Sequence, residues 1–197
     1  MDTTLLIQQF AKSYPQIGIN SINKIVELGE IEFINKKEKF IQQGHLDRRI
    51  AFVISGLFRG YINHDGEETT LWFSAEHDII ASYHGLLLNE ASKMEYQALE
   101  DASLFVLSYD DLKILATKDS EIALTLIEML ENLLIESLQR NERFILLDAE
   151  TRYLNLVKNK PNILQRVPQK LLASYIGITP VSLSRLRARL NKKEVRN

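Results

Sequence analysis

The hydrophobic pattern of this 197-residue chain changes its period once, and that change limits the folds available to it. Between Ile31 and Ser108, short segments rich in Ile, Val, Phe and Tyr alternate with polar residues, which is typical of half-buried strands. After Ser108 the apolar residues recur every three or four positions, which is typical of helices. The sequence therefore predicts an α+β protein in which a β-rich part precedes a helical part.

Glycine-containing turns separate the predicted strands. Gly44, Gly56 and the pair Asp65-Gly66 lie between them, and that pair tolerates the positive φ angles of a tight hairpin. Many short antiparallel strands of this kind predict an N-terminal, jelly-roll-like antiparallel β-roll. One or two short helices, broken near Pro15 and Gly18, are expected before it. The predicted strands are residues 31–35, 39–42, 50–55, 57–63, 69–74, 95–98 and 103–108.

A long helix is predicted from Ser120 to about Leu147, because this stretch contains no glycine or proline and Asp119 can cap its start. It carries two apolar flanks, so that one can pack on the roll and the other on a partner helix, as in a parallel coiled-coil dimer. Burial of the helix within one chain is the alternative. The candidate dimer interface is the stripe formed by Ala123, Leu126, Leu130, Leu133 and Ser137.

Charge is distributed very unevenly along the chain. The net charge is −2, yet residues 151–197 hold eleven basic and one acidic side chains, a net charge of +10. The first 150 residues hold 13 basic and 25 acidic side chains, a net charge of −12. A short segment with this excess of cations is suited to a polyanion, which the acidic remainder repels. A basic solvated tail is the alternative.

The strongest local pattern lies inside this basic segment and predicts a helix-turn-helix. Pro168 suits the start of the first helix, and Gly177 supplies the turn, where a Cβ would be costly. Thr179 then caps a second helix in which Pro180 is the first residue. A basic αα-hairpin without a role in DNA binding is the alternative. The apolar and small positions of the motif are Leu172, Ala173, Ile176, Gly177, Ile178, Leu183 and Leu186.

The outer face of the second helix has the residue types that recognise DNA. Arg185 at its centre can bind guanine in bidentate fashion, and Val181 can contact a thymine methyl group. The other candidates are suited mainly to phosphate, which positions a protein without specifying sequence. The candidate DNA-binding residues are Gln169, Lys170, Thr179, Val181, Ser182, Ser184, Arg185, Arg187 and Arg189.

The order of these parts resembles the Crp/Fnr superfamily of bacterial transcription regulators. The turns around Gly44, Gly56 and Asp65-Gly66 and the segment 181–186 carry the resemblance, which covers roughly residues 31–193. It implies a sensor β-roll at 1–118, a dimerisation helix at 119–147 and a winged helix-turn-helix-like domain at 148–197. It also implies a homodimer that binds palindromic double-stranded DNA and acts on RNA polymerase. The family's base-contacting glutamate falls at Val181, so a different DNA site is expected.

The phosphate-binding cassette of the family is altered in this sequence. Its Gly-Glu pair falls on Ala81-Ser82, and its arginine and following hydroxyl residue fall on Ser92-Lys93. A buried phosphodiester needs a fixed bidentate cation, so either no cyclic AMP binding or binding by a different geometry is expected, and the effector, if one exists, is unknown. The candidate effector pocket is Ala81, Ser82, Tyr83, Ser92, Lys93 and Tyr96.

Several other classes of function are disfavoured. The chain has no cysteine, which removes thiolate metal sites and iron–sulfur clusters, and its four histidines lack the His-x-His pair of cupin-type metal sites. No metal site, cofactor or enzymatic activity is expected, and no apolar run approaches the ~20 residues that span a membrane. A cytoplasmic protein is expected. The alternative function is a small-molecule sensor that acts through protein–protein contacts and binds nucleic acid only nonspecifically.

Overall fold

The computed structural model describes residues 3–194, so that Arg196 of the basic segment lies outside the described residues. Two helices precede eight strands, and six helices follow them, with a five-residue π-helical turn inserted after the sixth strand. The helices are α1 (Thr3–Ser13), α2 (Ile19–Val26), α3 (Tyr109–Ala116), α4 (Ser120–Leu146), α5 (Ala149–Asn159), α6 (Pro161–Arg166), α7 (Gln169–Ile176) and α8 (Pro180–Glu194), with the π-helical turn at His84–Leu88.

The strands form two four-stranded antiparallel sheets that pack face to face as a roll. One sheet has the order β1-β8-β3-β6 and the other the order β2-β7-β4-β5. Phe58, Ile80 and Leu104 are completely buried between them. The strands are β1 (Gly29–Ile34), β2 (Lys39–Ile41), β3 (Arg49–Ser55), β4 (Phe58–His64), β5 (Glu67–Ser74), β6 (Ile79–Ala81), β7 (Glu95–Ala98) and β8 (Ala102–Ser108).

The predicted β-roll and long helix are confirmed, and the turns follow the local sequence. Asp65 and Gly66 have φ angles of 52° and 85° and join β4 to β5, as the hairpin signal predicts. Asp119 caps α4 by accepting hydrogen bonds from the backbone N–H groups of Glu121 and Ile122. Strand β6 was not predicted, because three residues are too few to show an alternating pattern.

The C-terminal part is helical throughout its described residues, and it packs on the roll. Residues 180–194 form one continuous helix, so the wing implied by the family resemblance has no counterpart among residues 149–194. Leu57 and Phe73 of the roll share a hydrophobic cluster with Leu172, Ile176 and Leu183. A second cluster joins α1, α2 and α4 to the outer face of the β1-β8-β3-β6 sheet. The roll therefore lies between the N-terminal helices and the C-terminal helices.

Candidate functional site

Helices α7 and α8 are joined by a tight turn that local side chains determine. Gly177 has a φ of 74°, and the N–H of Ile178 donates to the carbonyl of Ala173 at 2.9 Å, which ends α7. The Thr179 hydroxyl accepts from the backbone N–H of Ser182 at 3.1 Å, which caps α8. The two helices thus have the turn and the cap that the sequence pattern predicts for a helix-turn-helix.

The inner faces of the two helices form the core of this unit. Ala173 and Leu183 are completely buried where the helices meet, and Leu172 and Ile176 are almost completely buried. The small side chain of Ala173 permits the close approach of α8 over α7, as expected. This packing fixes which face of α8 points outward.

The outer face of α8 is exposed. Val181 is 59% exposed, and Arg185 is also exposed and makes no hydrogen bond or ion pair with any side chain that the structure describes. A free guanidinium on a convex helix surface is available for an external anion or for a base edge. Other candidate DNA-binding residues that the structure leaves exposed are Gln169, Lys170, Thr179, Ser182, Ser184 and Arg189.

Several of these candidates already have partners within the chain. Arg187 is half-buried, donates through Nε to the Tyr153 hydroxyl at 3.1 Å and lies over its ring. Arg189 forms an ion pair with Glu150. Gln169 donates to the carbonyl of Pro180 at 3.3 Å. Any phosphate contact by these side chains must compete with those bonds, whereas Arg185 has none to lose.

An arginine–glutamate cluster fastens the C-terminal helices to the roll. Arg166 of α6 donates to both carboxylate oxygens of Glu76 at 2.9 Å and also pairs with Glu100. Burial raises the pKa of Glu76, but hydrogen bonds from Arg166 and from the backbone N–H of Gly56 outweigh it, so that the pKa is lowered overall. Beside this cluster, the Ser174 hydroxyl accepts from the N–H of Thr70 at 2.9 Å.

Arg140 of α4 lies where the long helix, the roll and the C-terminal helices meet. Its Nη1 donates to the Leu71 carbonyl at 2.7 Å, and its guanidinium lies 5.5 Å from the Trp72 ring centroid and 4.8 Å from that of Phe144. The Tyr175 ring lies 5.7 Å away. Burial lowers the pKa of Arg140. Helix α7 is therefore coupled to α4 through one side chain and aromatic rings.

The space between the roll and α4 contains a cavity of about 490 Å³. Tyr83 and Tyr96, two of the predicted effector-pocket residues, line it. Lys160, between α5 and α6, also lines it, so that the cavity adjoins the roll, the long helix and the C-terminal helices. A cavity of this size is large enough for a small-molecule ligand.

The other four predicted pocket residues do not line this cavity. Ala81, Ser82 and Ser92 are buried and Lys93 is exposed. The Ser92 hydroxyl donates to the Met94 carbonyl at 2.8 Å. These four residues therefore lie outside this cavity, and their role in effector binding stays a prediction.

Aspartate and glutamate side chains that the sequence analysis missed also line the cavity. Asp78 follows β5 and Glu136 lies on α4, and no local pattern connects them. Burial raises the pKa of Asp78. Burial also raises the pKa of Tyr14, another lining residue, to about 12, with the charge of Glu128 adding to the effect. The cavity therefore has an acidic and aromatic character.

The predicted dimer stripe faces the protein's own roll. Leu126, Leu130 and Leu133 are half-buried and line the cavity, while Ala123 and Ser137 are half-buried beside them. Leu126 also packs against the hydrophobic core of the roll, and the role of the stripe as a dimer interface stays a prediction. The large hydrophobic side chains of α4 that remain exposed are Leu124 (62%), Ile127 (51%), Leu134 (60%), Ile135 (49%), Leu138 (52%), Phe144 (39%), Ile145 (79%) and Leu146 (74%).

Two further classes of site were sought. Between residues 3 and 194, no group of three or more His, Cys, Asp or Glu side chains is arranged to hold a metal ion. In that same part of the chain, none of the helices combines the length and the apolarity that crossing a bilayer requires.

Comparison with known proteins agrees with this architecture. Residues 31–119 match the family model described as the cyclic nucleotide-binding domain. A search of curated proteins finds no significant match. The roll is therefore similar in sequence to cyclic nucleotide-binding domains.

Solved structures of regulators share the whole architecture at low sequence identity. A CooA mutant from Carboxydothermus hydrogenoformans aligns with a TM-score of 0.71 and 18% identity, covering 86% of this chain and 79% of that one. The c-di-GMP responsive global regulator CLP from Xanthomonas campestris aligns with a TM-score of 0.71 and 17% identity, covering 90% and 93%. FixK2 from Bradyrhizobium japonicum aligns with a TM-score of 0.67 and 18% identity, covering 84% and 86%. The chain shares the fold of these proteins, which is the fold that the resemblance implies.

Proposed function

We propose that this protein is a cytoplasmic, sequence-specific DNA-binding transcription regulator of the Crp/Fnr type. It acts as a homodimer on a palindromic site, with RNA polymerase as a further partner and an effector other than cyclic AMP. The observation that carries the proposal is the exposed face of α8, where Arg185 has no partner among the described residues. Each α8 lies in a major groove, with Arg185 against a base pair and Lys170 near phosphate.

Dimerisation through α4 follows from the spacing of its exposed apolar residues. Leu124, Ile127, Leu134, Leu138 and Ile145 occupy the a and d positions of one heptad register, in which Glu131 and Asn141 fill the remaining positions. Seams of this kind pair with a second copy of the same helix. A two-fold axis along the paired helices gives half-sites about 34 Å apart, one turn of DNA.

The DNA test is selection from random duplexes followed by fluorescence anisotropy against the selected site at several salt concentrations. Arg185→Ala is expected to weaken binding to the selected site by about 1–3 kcal/mol and to abolish the preference at one base pair. Lys170→Ala is the matched comparison, with a similar loss on every sequence and a salt slope smaller by about one ion. Equal losses on all sequences for Arg185→Ala, or no binding of any duplex at low ionic strength, contradict the proposal.

The dimer test is the mass of the protein in solution. Leu134→Glu is expected to shift the dimer toward monomer, because it brings two carboxylates together at an apolar seam. Leu46→Glu is the control, since Leu46 is an equally exposed leucine (53%) in a loop of the roll. A monomeric wild-type protein, or the same shift for both variants, contradicts dimerisation through this face.

A further inference from the structure

The cavity between the roll and α4 contains buried tyrosines whose polar groups have no partner. Tyr96 is 3% exposed and Tyr14 is 8% exposed, and both line the cavity. Neither hydroxyl forms a hydrogen bond with any described residue. Neither hydroxyl oxygen is among the buried polar atoms without a partner, so both open onto the cavity, although most of each tyrosine is buried. Hydroxyls that face a cavity and have no partner in the described part of the chain are available to a polar ligand.

The ionisable groups around the cavity favour one sign of charge. Asp78 and Glu136 both line it, whereas Lys160 is the one lining lysine or arginine within the described part of the chain. His77 also lines the cavity and is exposed. Burial raises the pKa of Asp78, which means that its charged form lacks sufficient compensation there. An anionic ligand in the cavity would be repelled by two carboxylates and attracted by one lysine.

The arginine next to the π-helical turn is not available to an anion. Arg48 donates to the Gly85 carbonyl at 2.8 Å and binds both carboxylate oxygens of Asp110. Ser82 uses its hydroxyl to accept from the N–H of Gly85 at 3.3 Å. Arg48 and Ser82 are therefore engaged with the roll itself.

We propose that this cavity binds a small organic cation, a primary amine attached to an aromatic or apolar group. The tyrosine hydroxyl oxygens accept its N–H groups, and the carboxylates of Asp78 and Glu136 balance its charge. Trp72, Tyr83, Leu130 and Leu133 line the same space and contact the aromatic or apolar group. This proposal concerns the binding of the amine. It rests on the proposed function only where the bound amine is taken to be the effector of the regulator.

Trp72 supplies a direct signal for binding, since it lines the cavity and is the one tryptophan of the sequence. The full-length protein is titrated at neutral pH with phenylethylamine, phenylethanol and 3-phenylpropanoate, which share a ring and differ in the charge of the head group. Cyclic AMP is titrated in parallel. We expect saturable quenching or enhancement of Trp72 fluorescence by the amine, weaker binding of the alcohol and no saturation with the carboxylate or with cyclic AMP.

Three substitutions test the sign of the cavity. Asp78→Asn and Glu136→Gln are each expected to weaken amine binding by about tenfold, because each removes one compensating charge. Lys160→Met is expected to tighten amine binding by several fold, because it removes a like charge. Asp65→Asn is the matched control, since Asp65 lies in the exposed β4–β5 hairpin, and it should leave the affinity unchanged.

The outcomes separate the ligand from the DNA function. Tighter binding of the carboxylate than of the amine, or equal affinity in the wild type and in Glu136→Gln, overturns the assignment. Absence of any saturable amine signal also overturns it. If the protein binds the amine but no DNA duplex, the cation site is supported and the proposed DNA-binding function is contradicted. If the protein selects a DNA site but does not bind the amine, the DNA-binding function is supported and the cation site is contradicted.

Discussion

The two candidate binding regions of this molecule differ in charge and in construction. The outer face of α8 is convex, basic and exposed, with Arg185 free of partners among the described residues. The cavity is concave, acidic and aromatic, with Tyr96 almost completely buried. A polyanion and a small ligand can therefore bind the same chain without competing for one surface.

The two regions also differ in which parts of the chain hold them together. Within α7 and α8, the turn at Gly177 and the cap at Thr179 join residues that are neighbours in sequence. The cavity instead needs Tyr14, Asp78 and Lys160, which α1, the β5–β6 turn and the α5–α6 junction hold in place. A local substitution should therefore damage the first region more selectively than the second.

The largest expected effect comes from the core of the C-terminal helices. Leu183→Ala should lower the free energy of unfolding by about 2–5 kcal/mol, because a completely buried leucine leaves a cavity. Val181→Ala, two residues earlier on the exposed face, should change it by less than about 0.5 kcal/mol. Denaturant titrations of both variants measure the difference. Similar losses for the two would mean that α8 does not pack as described.

A smaller effect compares a turn of the C-terminal helices with one in the roll. Gly177 and Gly44 both have positive φ angles, at 74° and 85°. A Cβ on Gly177 would lie 2.9 Å from the Phe144 ring, whereas one on Gly44 has nothing within 4 Å. Both alanine variants should lose about 1 kcal/mol from backbone strain, and Gly177→Ala should lose roughly a further 1 kcal/mol from the ring contact. Equal decreases in the melting temperatures of the two variants would show that the Phe144 ring moves aside without a cost in free energy.

The C-terminal helices were largely predictable because their determinants are local. Gly177, Thr179 and Pro180 each act on the backbone within a few residues, so their order along the chain already describes the turn. The partners of Arg187 and Arg189 were not predictable, because Tyr153 and Glu150 come from a different helix. The sequence spacing places both arginines on α8, but it does not show which side chains of α5 lie next to them.

The effector site was predictable only in part, for a related physical reason. Tyr83 and Tyr96 were anticipated from their position beside the cassette, and they do line the cavity. Asp78 and Glu136 meet there only after the roll closes and α4 packs across it. The sequence of α4 likewise shows two apolar flanks, and it does not show which of them the roll covers.

A third prediction concerns the contact that joins the two regions. Arg166→Met should lower the stability by about 1 kcal/mol or less, because Glu76 and Glu100 are each 37% exposed and water screens the pairs. The folded-state pKa of Glu76 is lowered, so its contribution is present above the ordinary value of 4.5 and is lost as the pH falls through the folded value. Stability curves below pH 5 should therefore be steeper for the wild type than for the variant. Parallel curves would mean that Arg166 does not hold this carboxylate.

The smallest expected effect has the opposite sign and tests the cavity. Burial raises the pKa of Asp78, so its contribution to stability is full below the ordinary value of 3.8 and is lost as the pH rises through the folded value. Asp78→Asn keeps an acceptor for the Ala75 N–H and should be slightly more stable than the wild type at neutral pH, an advantage that disappears in acid. Melting temperatures across this range measure it. A less stable variant at neutral pH would show that the charge itself supports the fold, whereas a gain in stability with a loss of amine affinity would mean that this carboxylate is kept for its ligand.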